Sequence, residues 1–329
     1  MTGLLGLFPS FESSVFGGVQ ETGRQAWAVI KDQPGLNARA FLYEAGTSRV
    51  SAAADALQCR SKVDTMLVWH CGLLKLTPFI ASSLRRRVVF LHGIEAWHRH
   101  DAFTSWLLRR THLFLSNSDY TWQRFLVSHP ECSQIPHRTV SLGWGVPLAE
   151  SPVSDSTPAA IMIGRMQKGE DYKGHREMIG LWPQVLETIP SARLWIVGGG
   201  DLRPDLEQLV QTAGLTASVT FFGAIPEAEK NDLLRRCRVL ALPSAGEGFG
   251  LVYLEAMRMG KPCLVSNIDA GREVVNPPEA GLVADLPAIL RLLSAGSDWD
   301  EISARAKRRY DSTFTEMDFQ ERLLAALAE

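Results

Sequence analysis

Several features that would assign the chain to a specialised class are absent from its 329 residues. The five cysteines are scattered and form no Cys-x-x-Cys pair, so neither a disulfide framework nor a zinc site is indicated. Cys237 and Cys263 lie in apolar runs and are predicted to be buried thiols. No apolar run approaches the ~20 residues that a membrane span requires. The first residues contain no basic segment ahead of an apolar stretch, which argues against a signal peptide. We therefore expect a cytoplasmic protein, either free or at the inner face of the membrane.

An excess of charge is also lacking. The formal net charge is −2, which provides no general attraction to nucleic acid, so no nucleic-acid partner is expected. The chain does have the composition of a soluble globular protein, with 46% hydrophobic and 21% charged residues. Its length is sufficient for two domains that each bury a core.

Short apolar runs alternate with amphipathic segments along the chain, a pattern typical of parallel α/β folds. The runs predict strands at 3–8, 38–43, 65–70, 88–92, 113–116, 139–142, 159–163, 193–197, 218–222, 239–242, 263–266 and 281–284. Helices are predicted between them at 19–31, 51–60, 73–84, 102–110, 120–128, 175–188, 203–213, 227–236, 251–259 and 286–293. A segment rich in proline and serine at 145–158 reads as a linker. We therefore predict one domain over 1–150 and a second over 151–312.

The strongest chemical signal is the segment PSAGEGFGLVYLEAM at 243–257. A predicted strand ends there, a glycine-rich turn follows, and a helix begins near Phe249. Free backbone N–H groups at a helix N-terminus suit a phosphate. Glu247 lies in the turn and Glu255 in the helix. Taken alone, Glu247 is explained as a helix cap and Glu255 as a solvated residue. However, the apolar neighbours of Glu255 indicate a buried carboxylate that requires partners, and together the two glutamates favour a hydroxylated ligand.

The Glu-x7-Glu pair resembles the hallmark of family 4 of the retaining GT-B glycosyltransferases, the glycosyl transferases group 1. Other segments match the family in order and spacing: IGR at 163–165 with YKGH at 172–175, WIVGGGD at 195–201, FFG at 221–223 and DAGREVV at 269–275. The resemblance implies a GT-B fold, in which two Rossmann-like domains face each other across a cleft. It also implies that a C-terminal helix over 313–329 packs back toward the first domain.

The same resemblance implies an activity. The enzyme would move a hexose, such as mannose or glucose, from a nucleoside diphosphate sugar to a glycan or lipid-linked acceptor with retention, as in bacterial members that build surface polysaccharide or glycolipid. Arg165 and Lys173 would bind the donor diphosphate and offset the charge of the leaving group, so neither a metal nor another cofactor is expected. Lys168 also precedes a glycine, but Lys173 fits the family segment better.

The remaining donor contacts are implied in the same way. Glu247 would bind a hydroxyl of the transferred sugar, and Glu255 would bind the ribose. The nucleobase would lie near residues 223–225. Further donor contacts are expected at Gly164, Gly223, Ala224, Ile225, Gly248, Phe249, Gly250 and Leu251.

The first half of the chain matches less sharply. Gly17 and Gly18 open the first predicted helix and resemble a glycine pair that lies against the donor phosphates; an ordinary helix start is the alternative. His92 lies at the carboxyl end of the fourth predicted strand and resembles a histidine near the transferred sugar, although a structural histidine is the alternative. No nucleophile is assigned. The segment at 143–147 departs from the family pattern, Pro-Asn-Gly-Val-Asp, which leaves its contacts between domains open.

Other readings of the sequence remain. The three glycines at 198–200 lack the spacing of a dinucleotide site, and Asp298 with Asp300 reads better as a helix start than as a metal-binding Asp-x-Asp. A non-catalytic nucleotide-sugar-binding protein and an epimerase of the same fold are alternative functions. A set of basic residues near Trp97 and Trp106 fits either peripheral contact with an anionic membrane or ordinary solvated helix faces. These basic residues are Arg85, Arg86, Arg87, His98, Arg99, His100, Arg109 and Arg110.

Overall fold

The structure is a computed structural model that describes residues 2–11, 17–44, 49–58, 63–80, 84–149, 157–294 and 296–328. The chain divides into two compact units. Unit 1 contains Met1–Gly143 and Glu316–Glu329, and unit 2 contains Trp144–Thr315. Half of the predicted linker, residues 150–156, lies outside the described residues.

Unit 1 contains a six-stranded parallel sheet. Its strands are β1 (Thr2–Pro9), β2 (Leu36–Tyr43), β3 (Thr65–Val68), β4 (Arg86–Leu91), β5 (Leu113–Ser116) and β6 (His137–Thr139), in the spatial order β2-β1-β3-β4-β5-β6. The helices are α1 (Gly18–Lys31), α2 (Arg49–Gln58), α3 (Thr77–Ile80), α4 (Ile94–Trp97), α5 (Ala102–Leu108) and α6 (Asp119–Ser128), with 3₁₀ turns at Cys71–Leu76 and Pro130–Cys132. The central strands are buried on both faces, which explains their continuous runs of Val, Leu and Phe.

Unit 2 repeats this construction with another strand order. Its strands are β7 (Ala159–Ile163), β8 (Arg193–Val197), β9 (Val219–Gly223), β10 (Val239–Leu242), β11 (Cys263–Val265) and β12 (Gly281–Val283), arranged β12-β11-β10-β7-β8-β9. A 3₁₀ segment at Lys168–Lys173 precedes the helices α7 (His175–Thr188), α8 (Arg203–Thr212), α9 (Glu227–Arg236), α10 (Leu251–Arg258), α11 (Gly271–Val275), α12 (Leu286–Leu293) and α13 (Ser297–Thr313). Renumbered within the unit, this order is the 3-2-1-4-5-6 order of the Rossmann fold.

The last helix, α14 (Glu316–Ala328), belongs to unit 1 although it follows unit 2 in the chain. Its buried Phe319 lies edge-to-face with Trp69, at a ring-centroid distance of 6.4 Å. The Arg86 guanidinium donates to the carbonyl oxygen of Leu327 at 2.6 Å, close to the helix end. A cation that caps the last carbonyl groups in this way is favourable, because those groups have no partner within the helix.

Most predicted elements are present, and two were misplaced. Strand β6 ends at Thr139, where the predicted strand began. The apolar residues Val140 and Leu142 lie just beyond the strand and are buried. The apolar run therefore indicated buried residues but not the position of the strand. The helix predicted at 73–84 is interrupted: a 3₁₀ turn ends at Leu76 and α3 starts at Thr77. Pro78 explains the break, because proline lacks the N–H that would continue the ladder and fits only a first helical turn.

Two short helices, α4 and α11, were not predicted, because four- and five-residue segments carry too little periodicity to reveal a helix. Two minor predictions are confirmed. Cys237 and Cys263 are fully buried, and Asp298 and Asp300 lie in the first turn of α13.

Candidate functional site

The loops that carry the predicted donor residues leave adjacent strands of unit 2. Strands β7 and β10 are hydrogen-bonded neighbours, and the strand order reverses between them. In open α/β sheets, ligands bind outside the carboxyl ends of the strands at such a reversal. The segment 164–174 follows β7, and the segment 243–250 follows β10. The fold therefore places two of the predicted motifs side by side at the position where this fold binds its ligands.

These two loops are joined by their backbones. The N–H of Ala245 donates to the carbonyl oxygen of Tyr172 at 2.8 Å. Gly174 has a φ of +83°, and a Cβ there would lie 2.7 Å from the carbonyl oxygen of Pro243. Only glycine suits this position, because it combines a left-handed backbone with close approach to another chain segment. The Lys-Gly dipeptide of the sequence motif is thus explained by packing of one loop against the other.

An ion pair links the same two loops. The Nζ atom of Lys173 lies 2.5 Å from Oε1 of Glu247, and their side chains are only 12% and 16% exposed. Gly164 lies beside this pair, since a Cβ on it would be 3.4 Å from Cδ of Lys173. The structure therefore brings together three residues that the sequence predicted for one site. A partly buried cation next to a carboxylate offers a phosphate donor and a hydroxyl acceptor side by side.

Asp269 holds the Glu247 turn in place. Its Oδ2 accepts the N–H of Glu247 at 3.0 Å, and its Oδ1 accepts the N–H of Gly271 at 2.9 Å. The N–H of Ala270 donates to the carbonyl oxygen of Glu247 at 3.2 Å. Burial raises the pKa of Asp269 to about 6, and the two backbone donors act in the opposite direction. The sequence contained this residue in the DAGREVV motif, but its contact with Glu247 required the folded chain.

Helix α10 begins directly after the turn and is oriented by Tyr253. Gly250 is its N-terminal cap residue, with a φ of +82°. The Tyr253 ring packs against Gly250, and its hydroxyl donates to the carbonyl oxygen of Leu242 at 2.9 Å. This contact fixes the helix to the end of β10, so the N-terminus of the helix lies at the carboxyl edge of the sheet.

Glu255 is buried on α10 and has a cationic partner that the sequence analysis did not identify. Its Oε2 lies 2.6 Å from Nζ of Lys230 on α9, and the same ammonium lies 2.9 Å from Oε2 of Glu227. Burial raises the pKa of Glu255, and Lys230 partly offsets this effect. Burial acts against the charge of Lys230, but Glu255 and Glu227 raise its pKa overall. The sequence signalled only that Glu255 needed a partner, because the partner lies on another helix.

The two other cations of the loop 164–174 are exposed. The Arg165 side chain is 62% exposed and forms an ion pair with Glu170. The Lys168 side chain is 60% exposed, and its Nζ lies 3.5 Å from Asp205. Of the two Lys-Gly lysines, Lys173 is thus the one that contacts a predicted site residue.

The predicted backbone contacts lie at the same edge of the unit 2 sheet. Gly223 ends β9 with a φ of +74°, and its carbonyl oxygen accepts the N–H of Gly198 at 2.8 Å. Ala224 is exposed and Ile225 half-buried just beyond it. The Phe249 side chain is buried edge-to-face against Phe314, while the half-buried residues Gly248 and Leu251 flank the helix start. The contacts of all these residues with a ligand stay predictions.

The predicted residues of unit 1 lie near the carboxyl ends of β1 and β4. Gly17 is the exposed cap residue of α1, and Gly18 is its exposed first residue. His92 is buried, its ring is stacked on Phe90 at 4.7 Å, and its Nε2 lies 2.7 Å from the carbonyl oxygen of Trp69. Burial lowers the pKa of His92 to about 3, so the ring is neutral. A neutral ring that donates through Nε2 leaves Nδ1 as its acceptor, the atom that a ligand hydroxyl would use.

The prediction that basic residues of unit 1 form one exposed cluster is wrong for Arg86 and Arg87. Arg87 is buried and donates to the carbonyl oxygen of Leu107 at 3.3 Å. Arg86 donates to the carbonyl oxygen of Leu327 at the end of α14. Side chains with these internal partners do not belong to a surface patch. Arg109 and Arg110 are exposed at the end of α5, and the Arg110 guanidinium lies 4.0 Å from the ring centroid of Trp106.

Two kinds of feature are not found in the described part of the chain. No group of three or more His, Cys, Asp or Glu residues there is arranged to hold a metal ion. Asp298, the first acid of the Asp-x-Asp sequence, instead pairs with Arg291. Across the same residues, no helix is long and apolar enough to cross a membrane.

Residues of unit 2 are similar to a known protein family. Residues 157–295 match the family model described as Glycosyl transferases group 1. The chain is 34% identical over 163 residues to a phosphatidyl-myo-inositol mannosyltransferase of Mycobacterium leprae, covering 46% of this chain and 42% of the relative. It is 30% identical over 236 residues to the lipopolysaccharide core biosynthesis mannosyltransferase LpcC of Rhizobium leguminosarum bv. viciae, covering 66% and 63%. The chain thus spans less than two thirds of these relatives, and the predicted family resemblance is confirmed.

Solved structures establish the fold. Anabaena Alr3699/HepE in complex with UDP and glucose matches with a TM-score of 0.80 and 17% identity over the full length of both chains. The sucrose-phosphate synthase of Thermosynechococcus elongatus matches with a TM-score of 0.78 and 15% identity, covering 100% of this chain and 98% of that chain. The fold class predicted from the sequence, GT-B with two Rossmann-like α/β units, is confirmed.

Proposed function

We propose that the protein is a glycosyltransferase that moves a hexose from a nucleoside diphosphate sugar to a hydroxyl acceptor, with retention and without a metal. The observation that carries this proposal is the contact between Lys173 and Glu247, at 2.5 Å, where the strand order of unit 2 reverses. The family match of residues 157–295 supports it.

The chemistry assigned to each residue follows from its surroundings. Negative charge develops on the leaving diphosphate as the glycosidic bond breaks, and a preorganised cation stabilises that charge. The ammonium of Lys173 has three N–H donors, so it can keep Glu247 and still donate to a phosphate oxygen. Arg165 is exposed on the same loop, and its fork of donors suits a phosphate. Glu247 accepts a hydroxyl of the sugar, and Glu255 accepts the ribose hydroxyls.

The names of similar proteins narrow the substrates that we propose. Two relatives are named as mannosyltransferases, of phosphatidyl-myo-inositol and of the lipopolysaccharide core, and a structural neighbour holds UDP and glucose. We therefore propose mannose or glucose as the hexose, and a glycan or lipid-linked acceptor from surface polysaccharide or glycolipid synthesis. Arg110 and Trp106, exposed together on unit 1, would support contact with an anionic membrane that carries such an acceptor.

The test is release of nucleoside diphosphate from a panel that includes GDP-mannose and UDP-glucose, with and without EDTA. Lys173→Ala should lower kcat by about 10²–10³, the loss seen for one oxyanion-hole donor. Lys168→Ala is the matched control, because it removes an exposed lysine from the same 3₁₀ segment, and it should keep wild-type activity. The anomeric configuration of the product, read by NMR, checks retention.

Four results would contradict the proposal. Binding of a nucleotide sugar without release of nucleotide would indicate a non-catalytic binding protein, and isomerisation of the sugar without an acceptor would indicate an epimerase. Loss of activity in Lys168→Ala but not in Lys173→Ala would reverse the assignment of the lysines. Activity lost in EDTA and restored by Mg²⁺ would exclude the metal-free mechanism.

A further inference from the structure

Lys230 lies between two carboxylates that differ sharply in exposure. Its Nζ is 2.6 Å from Oε2 of Glu255 and 2.9 Å from Oε2 of Glu227. The Lys230 and Glu255 side chains are 13% and 10% exposed, whereas that of Glu227 is 59% exposed. An ion pair with an exposed carboxylate contributes little, because water screens it. Of the two ion pairs, the buried one between Lys230 and Glu255 therefore has the stronger interaction.

Burial of Glu255 opposes the ionisation of its carboxylate. A buried carboxylate favours the neutral form unless a cation or hydrogen-bond donors compensate. The charged groups that act on it are Lys230 and Glu227 from α9 and Arg258 from α10. Glu227 opposes ionisation, and the Arg258 side chain donates to the carbonyl oxygen of Val146 at 2.6 Å. Lys230 is thus the cation in direct contact with the Glu255 carboxylate.

The pair also divides the two oxygens of Glu255 between different tasks. Oε2 faces Lys230, and Oε1 has no hydrogen-bond partner among the described residues. An ionised carboxylate accepts hydrogen bonds on either oxygen, and bonds from neutral donors to a charged acceptor are the stronger kind. One oxygen is therefore held by the protein while the other stays available to a ligand hydroxyl.

We propose that Lys230 is a positioning residue of the ribose subsite, which holds Glu255 ionised and oriented so that Oε1 accepts a ribose hydroxyl. This inference rests on the proposed function, since it requires that a nucleotide binds beside α10. Lys230 acts through Glu255 and does not itself contact the nucleotide.

The experiment measures discrimination between ribose and deoxyribose. Calorimetry compares UDP with 2′-deoxy-UDP, and GDP with 2′-deoxy-GDP, from pH 5.5 to 8.5. The wild type should prefer the ribonucleotide by about tenfold or more at every pH, as expected for a hydrogen bond to a charged group. Lys230→Met should lose most of this preference at low pH and regain it as the pH rises, because Glu255 then ionises only above its raised pKa.

Two variants serve as controls. Glu227→Gln leaves the Lys230–Glu255 pair in place and should bind UDP or GDP within about twofold of the wild type, because the exposed pair contributes little. Lys230→Arg keeps a cation beside Glu255 and should restore the flat pH profile.

A double variant keeps the test decisive even where Lys230→Met alone does not fold. Glu255→Gln and Lys230→Met/Glu255→Gln should bind the ribonucleotide equally and without pH dependence, since Lys230 has no role once residue 255 cannot ionise. If the double variant binds more than about threefold more weakly than Glu255→Gln, Lys230 contacts the nucleotide itself and the positioning role is wrong.

The remaining outcomes separate the two proposals. If the wild type binds neither UDP nor GDP, the proposed function fails and this inference fails with it. If the wild type binds and discriminates, but Lys230→Met keeps the same preference and the same pH profile, only the role of Lys230 is overturned.

Discussion

The ion pair between Lys173 and Glu247 allows stability and catalysis to be separated in one mutant cycle. The variants are Lys173→Met, Glu247→Gln and the double variant. Both side chains are almost buried, 12% and 16% exposed, so removal of one charge leaves the other poorly solvated. Breaking a fully buried pair costs about 3–5 kcal/mol. Because some solvent contact remains here, we expect a loss near the lower end, about 3 kcal/mol, for Lys173→Met.

The double variant should recover most of that stability. With both charges gone, neither desolvated ion remains, and replacement of a whole buried pair by neutral groups is often close to neutral. We therefore expect the double variant to lie within about 1 kcal/mol of the wild type. Urea unfolding at pH 7, followed by tryptophan fluorescence, to which the buried Trp182 and Trp299 of unit 2 contribute, measures these free energies. Lys168→Ala, which removes an exposed pair, should cost less than about 1 kcal/mol.

In this cycle kcat should not recover together with the free energy of unfolding. The double variant folds like the wild type but lacks the phosphate cation, so kcat should remain lower by about 10²–10³. Additive losses of stability in the two single variants would show that the residues are not coupled, and the reasoning from burial would be refuted. A stable double variant with wild-type kcat would refute the catalytic role of the cation.

Two further predictions concern the stability of unit 2. Gly198→Ala should destabilise the protein by about 3 kcal/mol or more in urea unfolding, because the added Cβ would lie 1.9 Å from the carbonyl oxygen of Gly164 at a φ of +133°. Gly199→Ala is its control, since no atom lies within 4 Å of a Cβ there; equal losses in both variants would contradict the steric argument. Burial, reinforced by Lys173, lowers the pKa of His175 to about 4, and neither ring nitrogen has a hydrogen-bond partner among the described residues. The folded state therefore resists a proton that the unfolded state accepts below about pH 6.5, so His175 should reduce stability by up to about 3 kcal/mol as the pH falls from 6.5 to 4. Unfolding curves of His175→Leu should lack this part of the slope, and an unchanged slope would show that His175 does not titrate in this range.

The local pattern of the chain was sufficient to predict the fold class and to locate the family-like motifs of unit 2. Continuous apolar runs predicted ten strands close to their observed positions, because a strand that is buried on both faces contains few polar residues. The predicted strand at 65–70 extended past the observed end of β3 at Val68, since Trp69 is buried although it lies beyond the strand. Glu247 and Glu255 were identifiable because a glycine-rich turn leading into a helix, with acids at fixed spacing, has few structural explanations.

Only the tertiary structure decided which residues act together. Lys173 meets Glu247, although 74 positions separate them in the chain, because β7 and β10 are neighbours in the sheet. The chain positions of Lys168 and Lys173 could not show which lysine turns inward.

For the same reason Lys230 had no sequence signal, and the DAGREVV motif marked Asp269 without showing its partner. Each is defined by a contact with another element, Lys230 with Glu255 and Asp269 with the Glu247 turn. Arg86 and Arg87 show the converse, since a run of cations that resembled a surface patch proved to be bonded to internal carbonyl groups. Local spacing determines secondary structure and nearby motifs, whereas burial and ion pairing depend on which elements the fold brings into contact.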